Sequence, residues 1–199
     1  MNLGPEDREV LLDLQRQASE PYSAFVFDTD ADADEFWRLL FERGVVEFSP
    51  PHGRLAREGG RIVGMMACLG QRELRAMRLR SAAELGKAAF FHARADAQRR
   101  MQMAGRALIT VQPADYYLSR LAVIADRRRH GVGGRLIAEF EAEGRRRGCT
   151  RLTLEVSADN PAALRFYESC GFVQIGRSAV GDAATGRKLE YLHMAKPIA

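Results

Sequence analysis

Arg127, Arg128 and Arg129 stand immediately before His130 and a set of glycines at 131, 133 and 134. Glycine lets a backbone lie close to another molecule without interference from a Cβ. A helix beginning at these glycines presents N–H groups that have no partner within it, and its macrodipole makes that end partly positive. Three guanidinium charges beside such an end suit a polyanionic ligand. On charge alone, a solvated basic loop capping an ordinary helix is an equally good reading; the neighbouring glycines favour binding. A P-loop needs Gly-Lys-Ser/Thr, but Arg135 and Leu136 follow Gly133 and Gly134, so that chemistry fails. A dinucleotide fingerprint is met by Gly131 and Gly133 and broken by Leu136 at the third glycine position. Glu155 still lies where a ribose ligand is expected, so this second reading is weakened and stays open.

The elements that must hold these residues are legible on both sides. Leu118 to Ile124 is a short apolar strand and Asp126 to His130 a charged turn. In the helix that follows, Val132, Leu136, Ile137 and Phe140 share one face, and Arg135, Glu139 and Glu143 fall on another. Glu141 with Arg145 and Glu143 with Arg147 are pairs spaced i,i+4, and Arg145–Arg147 suit the helix end, before a stop at Gly148. Leu152, Leu154 and Val156 alternate with Arg151, Thr153 and Glu155 as a half-buried strand. Asn160 is a helix cap, Pro161 the first helical residue, Ala162 to Cys170 the helix and Gly171 its stop. Phe172–Ile175 and Lys188–Met194 are the last two strands, with a mobile, glycine-rich connection from Gly176 to Gly186.

Upstream, Met1–Leu3 is a short first strand. Glu6–Gln17 and Asp34–Arg43 are helices, the second stopped by Gly44. Between them Phe25–Phe27 is either extended or a packed loop, and Asp28–Asp34 is a turn. Phe36 and Trp37 read as core before ligand contact. Arg54–Glu58 and Arg61–Leu69 form a hairpin at Gly59-Gly60, the second and third strands, with Gly64 a bulge or a close approach. Arg72–Arg106 holds two or three helices, with Gly86 separating two of them, Ala89, Phe90, Ala93, Ala97 and Met101 spaced along the second, and Gly105 ending it.

At 199 residues, with 46% hydrophobic and 28% charged, the chain is one domain with a sizeable core. No apolar run reaches a membrane span, and Glu6 to Glu9 make no signal-peptide pattern. The three cysteines, Cys68, Cys149 and Cys170, read as reduced buried thiols, and the four histidines lack ligand spacing, so no metal and a cytoplasmic location are expected. A net charge of +4, without aromatic interleaving or a helix-turn-helix pattern, calls for an anionic cofactor and no nucleic acid.

Arg128-x-x-Gly131-x-Gly133, followed by Asn160-x-x-Ala163-x-x-Phe166-Tyr167-x-x-x-Gly171-Phe172, resembles the GNAT family of N-acetyltransferases over roughly residues 54–69 and 114–195. The resemblance implies an α/β (α+β) fold. Its sheet is mixed and mostly antiparallel, has helices on both faces, and is splayed between strands four and five, with a helical insertion at about 72–106 before strand four. It implies acetyl-CoA as co-substrate: Leu121, Ala122 and Val123 pairing with the pantetheine arm, and the pyrophosphate on the turn Arg128, Arg129, His130, Gly131, Val132, Gly133 and Gly134. Arg127 is left as merely solvated. Asn160 faces the cofactor arm and Tyr167 protonates the departing thiolate, although by itself Tyr167 reads first as a packing aromatic. A phenol with pKa about 10 is protonated at neutral pH, as a general acid must be. For the base, Glu73, Glu155 and Glu168 are candidates without grounds for choice, because strand four offers Ser119 and Arg120 where relatives offer an acid.

The expected function is therefore acetyl transfer from acetyl-CoA to a primary amine by direct attack in a ternary complex, by a monomer or homodimer. The acceptor is left open; it is met by the N-terminal helices, the insertion with Arg72, Arg75, Arg78 and Arg80, and the 176–186 connection. The alternatives are a catalytically weak CoA-binding sensor of the same fold and a dinucleotide-binding protein.

Overall fold

The computed structural model describes residues 3–45, 47 and 52–198. Helices α1 (Pro5–Val26) and α2 (Asp30–Glu42) precede the hairpin β1 (Gly53–Glu58) and β2 (Arg61–Gly70). Helices α3 (Gln71–Lys87) and α4 (Ala95–Gly105) lead to β3 (Asp115–Val123). Then come α5 (Val132–Arg146), β4 (Arg151–Ser157), α6 (Pro161–Ser169), β5 (Val173–Asp182) and β6 (Arg187–Pro197). The strands lie in the order β1-β2-β3-β4-β6-β5, and only β3 and β4 run parallel. Met1 and Asn2 of the expected first strand fall outside the described residues and Leu3 is not in a strand, so the expected strands four and five are β3 and β4. No described helix is long and apolar enough to cross a membrane.

Side chains alternate across a sheet, and the two faces here differ in chemistry. Tyr116 and Leu152 lie under α5, where a Cβ on Gly144 would stand 2.8 Å from Leu152 and 3.5 Å from Tyr116. Phe140 of α5 is wholly buried and stacks on Tyr116 at 5.2 Å; burying such a side chain contributes roughly 2–3 kcal/mol. Tyr117 and Glu155 point to the other face, beneath α1, α2 and the α3–α4 insertion. Gly64 permits a close approach: a Cβ there would sit 3.1 Å from the Ala122 carbonyl and 3.2 Å from Val132. The β1–β2 register also slips beside it, between Ala56 and Arg57.

Several elements depart from the expected boundaries, each for a local reason. Helix α1 runs past Gln17 to Val26 because Leu11, Leu14, Phe25 and Val26 bury on one side and its buried serines find side-chain partners. Phe27 is its extended cap. Helix α2 starts at Asp30, not Asp34, because Thr29 Oγ1 accepts from Asp32 N at 3.1 Å and the acidic residues suit a helix start. Helix α3 continues through Gly86 to Lys87, and α4 begins only at Ala95. Ala89 at φ 52 turns the chain between them, burying Phe90 against Phe27 and Phe36. Glu143 leans inward, where Arg147 Nε donates to it at 2.6 Å. The 176–186 connection is mostly strand: pairing from Gly176↔His193 to Asp182↔Arg187 leaves only the 183–186 turn, braced by Asp182. Cys68 is buried as expected, whereas Cys149 and Cys170 are only half-buried.

Candidate active site

The parallel pairing of β3 with β4 runs from Asp115↔Arg151 to Leu118↔Leu154 and stops. Beyond it, β3 continues against β2 alone (Arg120↔Ala67 to Val123↔Gly64), and β4 against β6 alone (Glu155↔His193 to Ser157↔Tyr191). The facing edges of Leu121, Ala122 and Val123 and of 155–157 thus carry backbone groups without a strand partner, which an extended polar ligand can pair. A cavity of about 130 Å³ fills this fork, lined by Ser119, Leu121, Glu155, Asn160 and Tyr167 and roofed by Gln17, Ala18 and Pro21 of α1. Pro21 has no N–H to give the Gln17 carbonyl.

Past β3, a short 3-10 turn at Ala125–Arg127 delivers the chain to α5. Arg129 at φ 63 and Gly131 at φ 80 both take the left-handed conformation, so the turn folds back tightly before the helix. No side chain caps α5, and its first amides open outward. A Cβ at Gly131 or Gly134 would meet nothing within 4 Å, whereas one at Gly133 would stand 3.1 Å from Phe166. Gly133 therefore lets α6 pack against α5, and the other two leave open space at the helix end. This bare end fits a diphosphate. Arg128 braces the turn: Nε donates to the Val123 carbonyl at 3.0 Å and Nη2 to Gln17 Oε1 at 2.7 Å. His130 Nδ1 lies 2.8 Å from the Arg128 carbonyl. Arg129 is exposed. Arg127 is not merely solvated: it pairs with Glu58 at 3.2 Å, which also holds Arg135.

Asn160 caps α6, its Oδ1 accepting from Ala163 N at 3.0 Å. Tyr167 is 8% exposed, packs between Phe166 and Phe172 at 5.3 and 5.9 Å, and lines the fork. Burial pushes its phenol well above the ordinary value.

The three candidate bases separate cleanly. Glu73 accepts from the Gly70 amide and from Arg147, at the start of α3. Glu168 is exposed on α6. Glu155 alone lines the fork, and it also lines a second cavity of about 310 Å³ under α1–α4. Its Oε1 accepts from the Tyr117 hydroxyl at 2.5 Å, while Oε2 is buried without a partner among the described residues. Burial raises its carboxyl to about 7, against the lowering influence of the Tyr117 hydrogen bond and the Arg120 charge.

Two further residues escaped sequence reasoning. Glu47 accepts from Ser119 Oγ at 2.5 Å and pairs with Arg120 at 3.6 Å, so an acid reaches β3 from the loop after α2. Tyr117 is set beside Glu155 by the pairing Tyr117↔Thr153, two residues from Glu155 on the same face. No spacing in the sequence signals either contact.

A mixed sheet in which β3 and β4 form the parallel pair is not the parallel, doubly wound sheet of dinucleotide-binding proteins. The Acetyltransferase (GNAT) family model matches residues 11–172, and the chain belongs to that family. It is 36% identical over 76 residues to an acetyltransferase of Agrobacterium fabrum, covering 38% of this chain and 53% of that protein. It is 39% identical over 71 residues to the ribosomal protein bS18-alanine N-acetyltransferase of Escherichia coli, covering 36% of this chain and 48% of the relative. The chain thus spans about half the length of these curated relatives. Among solved structures, one acetyltransferase superposes with TM-score 0.65 at 16% identity, over 100% of this chain and 98% of the other. The Escherichia coli ribosomal-protein-S18-alanine N-acetyltransferase gives TM-score 0.54 at 19% identity, over 100% and 92%.

Proposed function

We propose that the chain is an acetyl-CoA-dependent N-acetyltransferase that passes an acetyl group to a primary amine by direct attack in a ternary complex. The observation that carries this reading is the fork between β3 and β4 beside the bare end of α5, with Glu155 and Tyr167 on its walls. Family membership and the N-acetyltransferase names of the relatives support it.

When bound, acetyl-CoA supplies a thioester whose carbonyl carbon an amine can attack. The free edge of Leu121, Ala122 and Val123 holds the pantetheine arm, and an N–H of that edge stabilises the oxygen as it becomes negative. The amides of Gly131, Val132, Gly133 and Gly134, with Arg129 and His130, hold the pyrophosphate, and Arg128 fixes the turn from beneath. Asn160 caps α6 and faces the arm. Glu155, with its carboxyl near neutrality, takes the proton that the amine loses. Tyr167 is protonated throughout the neutral range and donates to the sulfur as the carbon–sulfur bond breaks. From the neutral amine, one proton leaves the nitrogen and one reaches the sulfur, so the exchange balances; an acceptor arriving as an ammonium first releases one further proton to solvent.

The test is acetyl-CoA consumption against an amine panel, read as free CoA thiol, alongside calorimetric binding of acetyl-CoA. Saturable turnover is expected. Tight binding without turnover of any amine would make the chain a CoA-binding module, and failure to bind acetyl-CoA would overturn the reading.

A further inference from the structure

We infer that the acceptor is a small primary amine with a single positive charge and a compact aromatic or apolar body, held in the cavity roofed by the α3–α4 insertion. This rests on the acetyltransferase reading, and it is carried by four features of the cavity.

The first is size. At about 310 Å³ the cavity lies near the lower end of the roughly 300–1,000 Å³ typical of small-molecule sites. The second is lining. Tyr22, Trp37, Tyr117 and Tyr191 present aromatic surface, which suits an apolar body and attracts an adjoining cation.

The third is charge. Oε2 of Glu155 is buried without a partner among the described residues, and Glu155 lines both this cavity and the fork, so an ammonium brought to it gains the acceptor it needs. Arg120 lines both cavities and Arg78 the larger one, and a second cation on the acceptor would meet them. Glu47 is already engaged by Ser119 and Arg120, and its charge disfavours an acidic acceptor.

The fourth is the roof. Ser81 Oγ donates to the Val45 carbonyl at 2.8 Å and Glu84 pairs with Arg43 at 3.7 Å, tying α3 to the end of α2. Arg100 Nε donates to the Val26 carbonyl at 2.8 Å, and Arg99 pairs with Asp182 at 2.8 Å, tying α4 to α1 and β5. A peptide terminus in this cavity would have to thread the rest of its chain past helices tied to α1, α2 and β5; a compact amine does not.

The chain contains one tryptophan, and it lines the cavity, so its fluorescence reports occupation without catalysis. Gly105 also lines the cavity, and a Cβ there meets nothing within 4 Å, so Gly105→Phe adds bulk without backbone strain. Full-length protein is titrated with 2-phenylethylamine and, separately, with a short peptide beginning in alanine, following Trp37 emission and acetyl transfer. The expected result is a saturable emission change and transfer with 2-phenylethylamine, a KM for it at least tenfold higher in Gly105→Phe, and an acetyl-CoA Kd within twofold of the original. Transfer to the peptide, with neither an emission change nor acetyl transfer on adding 2-phenylethylamine, overturns the acceptor class and leaves the acetyltransferase reading intact. An unchanged KM in folded Gly105→Phe, with no Trp37 emission change on adding 2-phenylethylamine to the original protein, also overturns it. Failure to bind acetyl-CoA sinks the acetyltransferase reading instead; the emission arm still decides whether the cavity takes the amine.

Discussion

The hydroxyl of Tyr117 donates to one oxygen of Glu155 at 2.5 Å, while the other oxygen of the same carboxylate is buried with no partner among the described residues. A carboxylate half satisfied in this way is poised to take a proton, and burial sets its titration at about 7. On the proposal that Glu155 is the base, only its ionised form acts, so kcat/KM should rise with pH through about 7. Glu155→Gln should remove that limb and lower turnover by about 10²–10⁴-fold, the usual worth of a general base, with acetyl-CoA affinity unchanged. An identical pH profile in the variant would remove Glu155 from the reaction.

The same burial has a cost in stability. The folded carboxyl titrates at about 7 against an ordinary 4.5, so between these values the folded state holds a proton that the unfolded state has lost. Stability should therefore fall as pH rises through this window. Glu155→Gln cannot ionise. Relative to the original protein it should gain stability between pH 5 and pH 8, on the order of 2 kcal/mol. Denaturant unfolding at the two pH values measures the difference, and a gain independent of pH contradicts the assignment.

Tyr167 separates binding from chemistry. Its ring packs with Phe166 and Phe172 whether or not its hydroxyl acts, and Phe preserves that packing. Tyr167→Phe should lower kcat by at least tenfold, about 1.4 kcal/mol of transition-state stabilisation, while the acetyl-CoA Kd stays within twofold. Equal turnover would reduce Tyr167 to a core aromatic.

What was legible in the sequence was local. Arg128-x-x-Gly131 and Asn160-Pro161 could be read because a turn and a capped helix start are written within a few residues. Glu155 could not be chosen over Glu73 and Glu168, because the choice depends on strand register and on what covers the sheet. Glu73 is diverted to the Gly70 amide, Glu168 faces outward, and Glu155 is fixed inside by a tyrosine 38 positions away. Glu47 reaches Ser119 across 72 positions, and no local pattern encodes such a contact. Glycine-rich composition gives the 176–186 segment the look of a loop, whereas its pairing with β6 and the anchoring of Asp182 by Arg99 make most of it a strand.

Arg128 reaches down to the Val123 carbonyl and across to Gln17, so it joins β3, the turn before α5 and α1. Its removal should loosen the turn without altering the proton-transfer groups. Arg128→Ala should raise the KM for acetyl-CoA by about tenfold, roughly one charge-assisted hydrogen bond, with little change in kcat. Arg127→Ala breaks only an exposed pair with Glu58 and should change KM by less than twofold. Equal effects of the two substitutions would show that Arg128 acts through charge alone.

Arg100 holds the insertion to the rest of the molecule. It is 1% exposed, donates to the Val26 carbonyl and to Asp28 at 2.8 Å each, and lies 3.9 Å from Asp182. Arg100→Met keeps most of the stem but leaves the Val26 carbonyl without this donor, at a cost of about 2–4 kcal/mol. Asp182 keeps Arg99 and Thr185 as partners, so the strand should stay in place while α4 loosens. Amide exchange should accelerate in α4 and at the end of α1 and remain slow in β5 and β6. If the insertion shapes the acceptor cavity, the acceptor KM should rise in the same variant while the acetyl-CoA Kd does not. Accelerated exchange in α4 with an unchanged acceptor KM would show that the roof over the cavity has no part in holding the amine.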